Sequence, residues 1–134
     1  MLATAPTIAV VDDDESIRRA LYRLLRSDGL AAATFASAHE FLEAHRRQEF
    51  ACVILDVYMG RMSGLDLAER FLSEGTHLPI ILITAHDDEQ IRERAQRVGV
   101  AAYLRKPVDA NLLLNAVHQA AGVGRPLSGP PPGP

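Results

Sequence analysis

At 134 residues, 48% of them hydrophobic, the chain is long enough for one domain with a real core and too short for a second. A formal charge of −3 gives no general reason to expect nucleic acid as a direct partner, and the single cysteine, Cys52, fits no disulfide, metal spacing or redox pair. No apolar stretch approaches the ~20 residues of a membrane span, and the N-terminus lacks the basic start and apolar region of a signal peptide, so the cytoplasm is the expected location.

The first apolar run, Ile8-Ala9-Val10-Val11, ends on Asp12-Asp13-Asp14. A continuous β-favouring run without polar alternation predicts a strand buried on both faces, as in a parallel sheet covered by helices. Ile17, Ala20, Leu21, Leu24 and Leu25 then recur at helical spacing, with Asp28-Gly29 as the stop and Asp14 as the expected cap. Arg18-Arg19 fall on the polar face of that helix. Leu30 to Phe35 is short and weakly patterned, which suits an edge strand. Ser37 followed by Glu40 predicts a capping box, opening a helix that carries Phe41, Leu42 and Ala44 to about Gln48.

Cys52 belongs to the core of the next run, Val53-Ile54-Leu55, which stops on Asp56. Tyr58 to Gly64 is a loop, and Leu67, Ala68, Phe71 and Leu72 mark one side of a helix ended by Gly75. Pro79 opens the fourth strand, where a missing amide proton is tolerated, and Ile80-Ile81-Leu82-Ile83 runs into Thr84-Ala85. Asp87-Asp88 place negative charge at the start of a helix with the stripe Ile91, Ala95 and Val98, closed by Gly99. The fifth run, Ala101 to Leu104, ends on Arg105-Lys106-Pro107. Asp109 precedes a last helix with Leu112, Leu113, Ala116, Val117 and Ala120 directed inward. Residues 1–122 thus read as one domain of alternating strands and helices, and 123–134 as a Gly/Pro-rich flexible tail or linker.

Alternation of this kind predicts a parallel sheet with right-handed crossovers and helices on both faces, a three-layer α/β sandwich. Ligands of such sheets collect at the carboxyl ends of the strands. There the chain would gather Asp12, Asp13, Asp14 and Asp56, the Thr84 hydroxyl and the Lys106 ammonium. Two unit charges ~4 Å apart at an effective dielectric of ~20 repel by roughly 4 kcal/mol, so something positive is expected between the carboxylates. Hard oxygen donors suit Mg²⁺; the alternative is a carboxyl protonated through its neighbours. Lys106 stands out because every other basic residue among the 14 is Arg. A compact, flexible ammonium at that strand end is suited to reach an anion. The five histidines, His39, His45, His77, His86 and His118, have no metal-ligand spacing and are expected to be solvated or capping.

Val11-Asp12-Asp13, Leu55-Asp56, Thr84-Ala85, and Tyr103 with Lys106-Pro107, in this order and each at a strand end, resemble the receiver domain of two-component response regulators. The resemblance covers about Thr7 to Ala121. It implies a flavodoxin-like sandwich with five parallel strands in the order 2-1-3-4-5 and five helices. It also implies that Asp56 is the phosphoacceptor for a sensor histidine kinase or phosphotransfer protein. Asp13, Asp56 and the backbone carbonyl of Tyr58 would hold Mg²⁺, or Mn²⁺ in its place, with Asp12 nearby or acting through a water. Thr84, Ala85 and Lys106 would bind the phosphoryl group, Thr84 and Tyr103 would switch, and Tyr58 and His86 would tune dephosphorylation.

By the same resemblance the chain is a signalling switch that regulates an output through helix four, strand five and helix five. It would be no turnover enzyme, would not touch membrane or nucleic acid itself, and could form a homodimer on phosphorylation. Two features depart from the family's habit: Met59-Gly60 stands where Met-Pro is usual, and Val108 follows Lys106-Pro107 where Phe is common. An aspartyl-phosphate phosphatase would want a second Asp where Tyr58 stands, and a flavin carrier would not place Asp12-Asp13-Asp14 against a phosphate. A phosphate-independent interaction module of the same fold is the remaining alternative.

Overall fold

A computed structural model describes residues 7–60 and 62–122. The elements alternate as expected: β1 (Thr7–Val11), α1 (Glu15–Ser27), β2 (Ala31–Phe35), α2 (Ala38–His45), β3 (Cys52–Asp56), α3 (Gly64–Glu74), β4 (Ile80–Thr84), α4 (Glu89–Val98), β5 (Ala102–Arg105) and α5 (Ala110–Ala121). The strands form one parallel sheet in the order β2-β1-β3-β4-β5. All five residues of β3 and of β4 are buried, as the absence of polar alternation in their sequences requires.

Successive strand residues point to opposite faces, and the core divides accordingly. Ile8, Val10, Ile54, Ile81 and Ile83 pack with Leu21 and Leu25 of α1 and Leu113 and Val117 of α5. Ala9, Val11, Val53, Leu55 and Leu82 pack on the other face with Phe41 of α2, Leu67 and Phe71 of α3, and Ile91 of α4. Cys52 is fully buried, and burial pushes its thiol up to about 12, so it is an inert core residue.

The helix signals act where they were read, with some differences. Asp14, Asp88 and Asp109 cap α1, α4 and α5, each carboxylate accepting backbone N–H groups of the first turn. Ser37 caps α2 through the Glu40 N–H, but Glu40 reaches back to the N–H of Ala36 instead of closing a box on Ser37. The reciprocal box forms at Ser63 and Asp66. Helix α2 ends at His45, three residues short of Gln48, because the Arg47 and Gln48 N–H groups both turn back to the Ala44 carbonyl.

Leu72 and Leu112 are exposed, not inward, and lie at the edges of their helical stripes. Two histidines also depart from expectation. His118 is buried with Nε2 2.6 Å from Asp28 Oδ2, tying the end of α5 to the end of α1. His45 is half-buried and stacks on Phe41, ring centroids 5.6 Å apart. The tail expected from residue 123 lies outside the described residues.

Candidate functional site

Parallel register brings the strand ends together. Val11 lies beside Leu55, Asp56 beside Ile83, and Thr84 beside Arg105. The residue after each strand therefore inherits a fixed place: Asp12 next to Asp56, and Lys106 next to Thr84, whose carbonyl accepts the Lys106 N–H at 2.8 Å. The Lys106-Pro107 peptide is cis. The loop leaving β3 is folded back by the Gly64 N–H, which donates to the Val57 carbonyl at 2.9 Å.

Asp12, Asp56 and Thr84 are buried. Lys106 Nζ lies 3.1 Å from Asp12 Oδ2 and 3.2 Å from Asp56 Oδ2. The other oxygens are also engaged: Asp12 Oδ1 accepts the Asp14 N–H at 2.9 Å, and Asp56 Oδ1 accepts the Tyr58 N–H at 3.4 Å. Asp13 is exposed and pairs with no side chain or backbone group among the described residues. Asp12, Asp13 and Asp56 each offer a carboxylate oxygen, all within 4.8 Å of one another. This hard, all-oxygen donor set carries more negative charge than Lys106 can offset, and it fits a small divalent cation.

Burial is the main reason the Asp56 carboxyl stands above its ordinary range, and repulsion from Asp12 adds to it; the Lys106 ammonium acts in the opposite direction. For Lys106, burial alone would favour the neutral amine. Its hydrogen bond and charge contacts with Asp12, then Asp56, outweigh that and hold the ammonium above its usual value. The site thus keeps a fixed cation over its buried carboxylates.

Other residues named from the sequence sit around this centre without all facing it. The Thr84 hydroxyl donates to the His86 carbonyl and accepts the His86 N–H, both at 3.1 Å, so it is held within its own loop. Ala85 is exposed on that loop. The Tyr103 hydroxyl donates to Asp87 Oδ1 at 3.3 Å. Tyr58 and His86, each two residues past a strand's last residue, meet edge to face with ring centroids 5.7 Å apart. Asp14 serves as the α1 cap and stands outside the acidic cluster.

Three residues near the site have structural roles that the sequence pattern does not define. Arg18, read as surface charge, donates from Nη1 to the Asp12 carbonyl at 2.8 Å. Gly64, the last residue of the loop after β3 in the sequence reading, packs against the Asp56 backbone so closely that a Cβ would run into the Asp56 carbonyl. Gly60 has φ +67°, a conformation closed to the proline usual at its position. None has a periodic signature, since each answers to a contact made by the folded chain.

The chain matches the family described as "Response regulator receiver domain" over residues 8–118. Among curated relatives, it is 40% identical over 124 residues to "Transcriptional regulatory protein TdiR" of Thauera aromatica, covering 92% of this chain and 55% of the relative. It is 36% identical over 115 residues to "Transcriptional regulatory protein FixJ" of Azorhizobium caulinodans, covering 86% and 54%. The chain spans about half the length of the curated relatives it matches. The crystal structure of a response regulator receiver protein from Burkholderia phymatum superposes with a TM-score of 0.78 at 44% identity, over 91% of this chain and 99% of that one. With the family match spanning the sheet and its acidic edge, this chain belongs to the receiver domains of two-component response regulators.

Proposed function

We propose that Asp56 accepts a phosphoryl group from a phosphohistidine on a sensor kinase or phosphotransfer protein. One carboxylate oxygen forms the new P–O bond as the N–P bond breaks, and that electron pair stays with the departing imidazole, which takes a proton from solvent. Phosphoryl transfer demands positioning and charge neutralisation more than covalent help, and a carboxylate is an accepted nucleophile for it. The observation that carries this reading is the buried Asp56 carboxylate held 3.2 Å from a single ammonium at the carboxyl edge of the sheet.

Lys106 is placed to pair with an oxygen of the incoming phosphoryl group, and the Thr84 hydroxyl and Ala85 N–H complete its cradle once Thr84 leaves His86. Asp13, Asp56 and the Tyr58 carbonyl would hold Mg²⁺, or Mn²⁺ in its place, with Asp12 alongside. When bound, that cation supplies the positive charge that three carboxylates and a phosphoryl group require.

Phosphorylation then shifts the domain toward the state in which Thr84 and Tyr103 have moved, re-forming the surface of α4, β5 and α5. That surface addresses a partner, a second copy or an output region. The relatives' names make transcription the output we favour, exerted by a region beyond residues 1–122 and reached through the 123–134 linker, with no nucleic-acid contact by the receiver itself. The domain works as a phosphoacceptor in the cytoplasm, where sensor kinases are charged from ATP.

Acetyl phosphate with Mg²⁺ should add the mass of one phosphoryl group to the wild type and none to Asp56→Asn. A label on another residue, or none at any metal concentration, would leave a phosphate-independent interaction module as the better reading.

A further inference from the structure

Asp87 is the meeting point of three side chains from two neighbouring elements. Arg92 of α4 donates from Nε to Asp87 Oδ1 at 2.8 Å, the Tyr103 hydroxyl of β5 reaches the same oxygen at 3.3 Å, and Arg105 Nε lies 3.8 Å from Oδ2. Asp87 directly follows the His86 whose backbone holds the Thr84 hydroxyl, and directly precedes Asp88, the cap of α4. The hydroxyls of Thr84 and Tyr103 are thus both committed to one short loop, Thr84 to its first turn and Tyr103 to the carboxylate beside it.

We infer that Asp87 is a positioning residue that holds Tyr103 outward in the unphosphorylated domain and couples its release to the movement of Thr84. The inference rests on the reading of Asp56 as phosphoacceptor and of Thr84 and Tyr103 as the groups that move. For Thr84 to turn its hydroxyl toward Asp56, the hydrogen bonds to His86 must break. The backbone they leave is continuous with Asp87, so the carboxylate shifts with them and loosens its hold on Tyr103. Arg92 on the same oxygen and Arg105 beside the other orient the Asp87 carboxylate independently of Tyr103. The hydrogen bond from Arg92, ahead of its charge and of the contacts with Tyr103 and Arg105, keeps the carboxyl below its ordinary range and therefore ionised. An ionised acceptor gives a stronger hydrogen bond to a phenol than a neutral one. The hold is at the surface, where such contacts are modest, which suits a switch that must open on phosphorylation.

The consequence is measurable on the full chain labelled with 3-fluorotyrosine. Its three fluorine signals, from Tyr22, Tyr58 and Tyr103, are assigned by single Tyr→Phe substitutions. Beryllofluoride with Mg²⁺ serves as the phosphoryl stand-in. In Asp87→Ala without beryllofluoride, the Tyr103 signal should already move toward the position that beryllofluoride produces in the wild type. Apparent beryllofluoride affinity should tighten roughly three- to fivefold, since a binder's affinity rises with the fraction of its competent state. In a Tyr103→Phe background, Asp87→Ala should leave that affinity unchanged, which a merely structural role for Asp87 would not produce. An unmoved Tyr103 signal, or tightening that persists without the Tyr103 hydroxyl, overturns the inference. If the wild type fails to respond to beryllofluoride at all, the reading of Asp56 falls. The hold on Tyr103 is then decided by the fluorine spectrum of unliganded Asp87→Ala alone, a moved signal supporting it and an unmoved one overturning it.

Discussion

Lys106 and Asp56 are ion-paired at 3.2 Å, yet the Asp56 carboxyl remains above its ordinary range, because burial and the Asp12 charge together outweigh the one ammonium. The folded domain therefore binds a proton at Asp56 more tightly than the unfolded chain does. A group of this kind contributes stability that is fully present below the unfolded value, near 3.8, and is lost as pH rises through the raised folded value. Asp56→Asn removes that loss and leaves Lys106 paired with Asp12. Without divalent metal at pH 7, its Tm should exceed the wild type's by several degrees, at roughly 3–6 °C per kcal/mol for a domain of this size. The gap should close as pH falls toward 4. Thermal unfolding across pH checks this, and a lower Tm for Asp56→Asn at pH 7 would refute it.

The reverse substitution tests the same balance from the cation's side. Lys106→Met keeps the length of the side chain but leaves Asp12 and Asp56 facing each other without a counter-charge. Removing one partner from a largely buried ionic cluster should cost roughly 2–4 kcal/mol in metal-free buffer. Mg²⁺ should raise the Tm of Lys106→Met by more than it raises that of the wild type, because it meets a larger unbalanced charge. Equal shifts in the two proteins would mean that the cation does not bind at these carboxylates.

What the sequence disclosed follows from the range over which its signals act. Ile80 to Ile83 and Val53 to Leu55 could be read as buried strands because continuous apolar residues have no other stable home, and the carboxyl-edge rule then placed Asp12, Asp56, Thr84 and Lys106 together. Helical periodicity marks the stripes of α3 and α5 but not their margins, so Leu72 and Leu112 belong to the apolar pattern and are nonetheless exposed. His118 and Asp28 are 90 positions apart, and no local pattern announces their contact. The orientation of Tyr103 was likewise invisible, since Asp87 had already been explained as charge at a helix start.

Gly64 offers a test of how tightly the site is fixed by its backbone. A methyl group at this position would meet the Asp56 carbonyl and the Leu55 Cβ, and neither can yield without moving β3. Gly64→Ala should cost about 1–3 kcal/mol, as overpacking against a rigid neighbour does, and should slow phosphoryl acceptance by displacing Asp56. Gly60→Ala is the comparison: nothing lies within 4 Å of its Cβ, and only its φ of +67° is penalised. It should cost roughly 1 kcal/mol and leave the acceptance rate near that of the wild type. Chemical denaturation and acetyl phosphate labelling separate the two effects, and equal labelling rates for both variants would count against a backbone role for Gly64.

With Asp56 as the proposed phosphoacceptor, Tyr58 and His86 should set how fast the phosphorylated state decays. Tyr58 follows Asp56 by two residues and is 49% exposed, while His86 follows Thr84 by two, and their rings, carried on the loops that leave β3 and β4, meet edge to face. A water that hydrolyses the acyl phosphate must approach roughly in line with the bond it breaks, so rings in contact there restrict its access. An aromatic pair of this geometry is worth about 0.5–1.5 kcal/mol, which keeps the contact closed by a factor of roughly 2–10. Tyr58→Ala or His86→Ala should therefore speed loss of the phosphoryl group by about that factor. The double variant should be little faster than either single one, because the first substitution already breaks the pair. Tyr58→Phe keeps the ring edge and should keep the wild-type rate. Decay of the labelled protein after removal of phosphodonor measures all four, and multiplicative effects of the two alanine substitutions would show that the rings act separately.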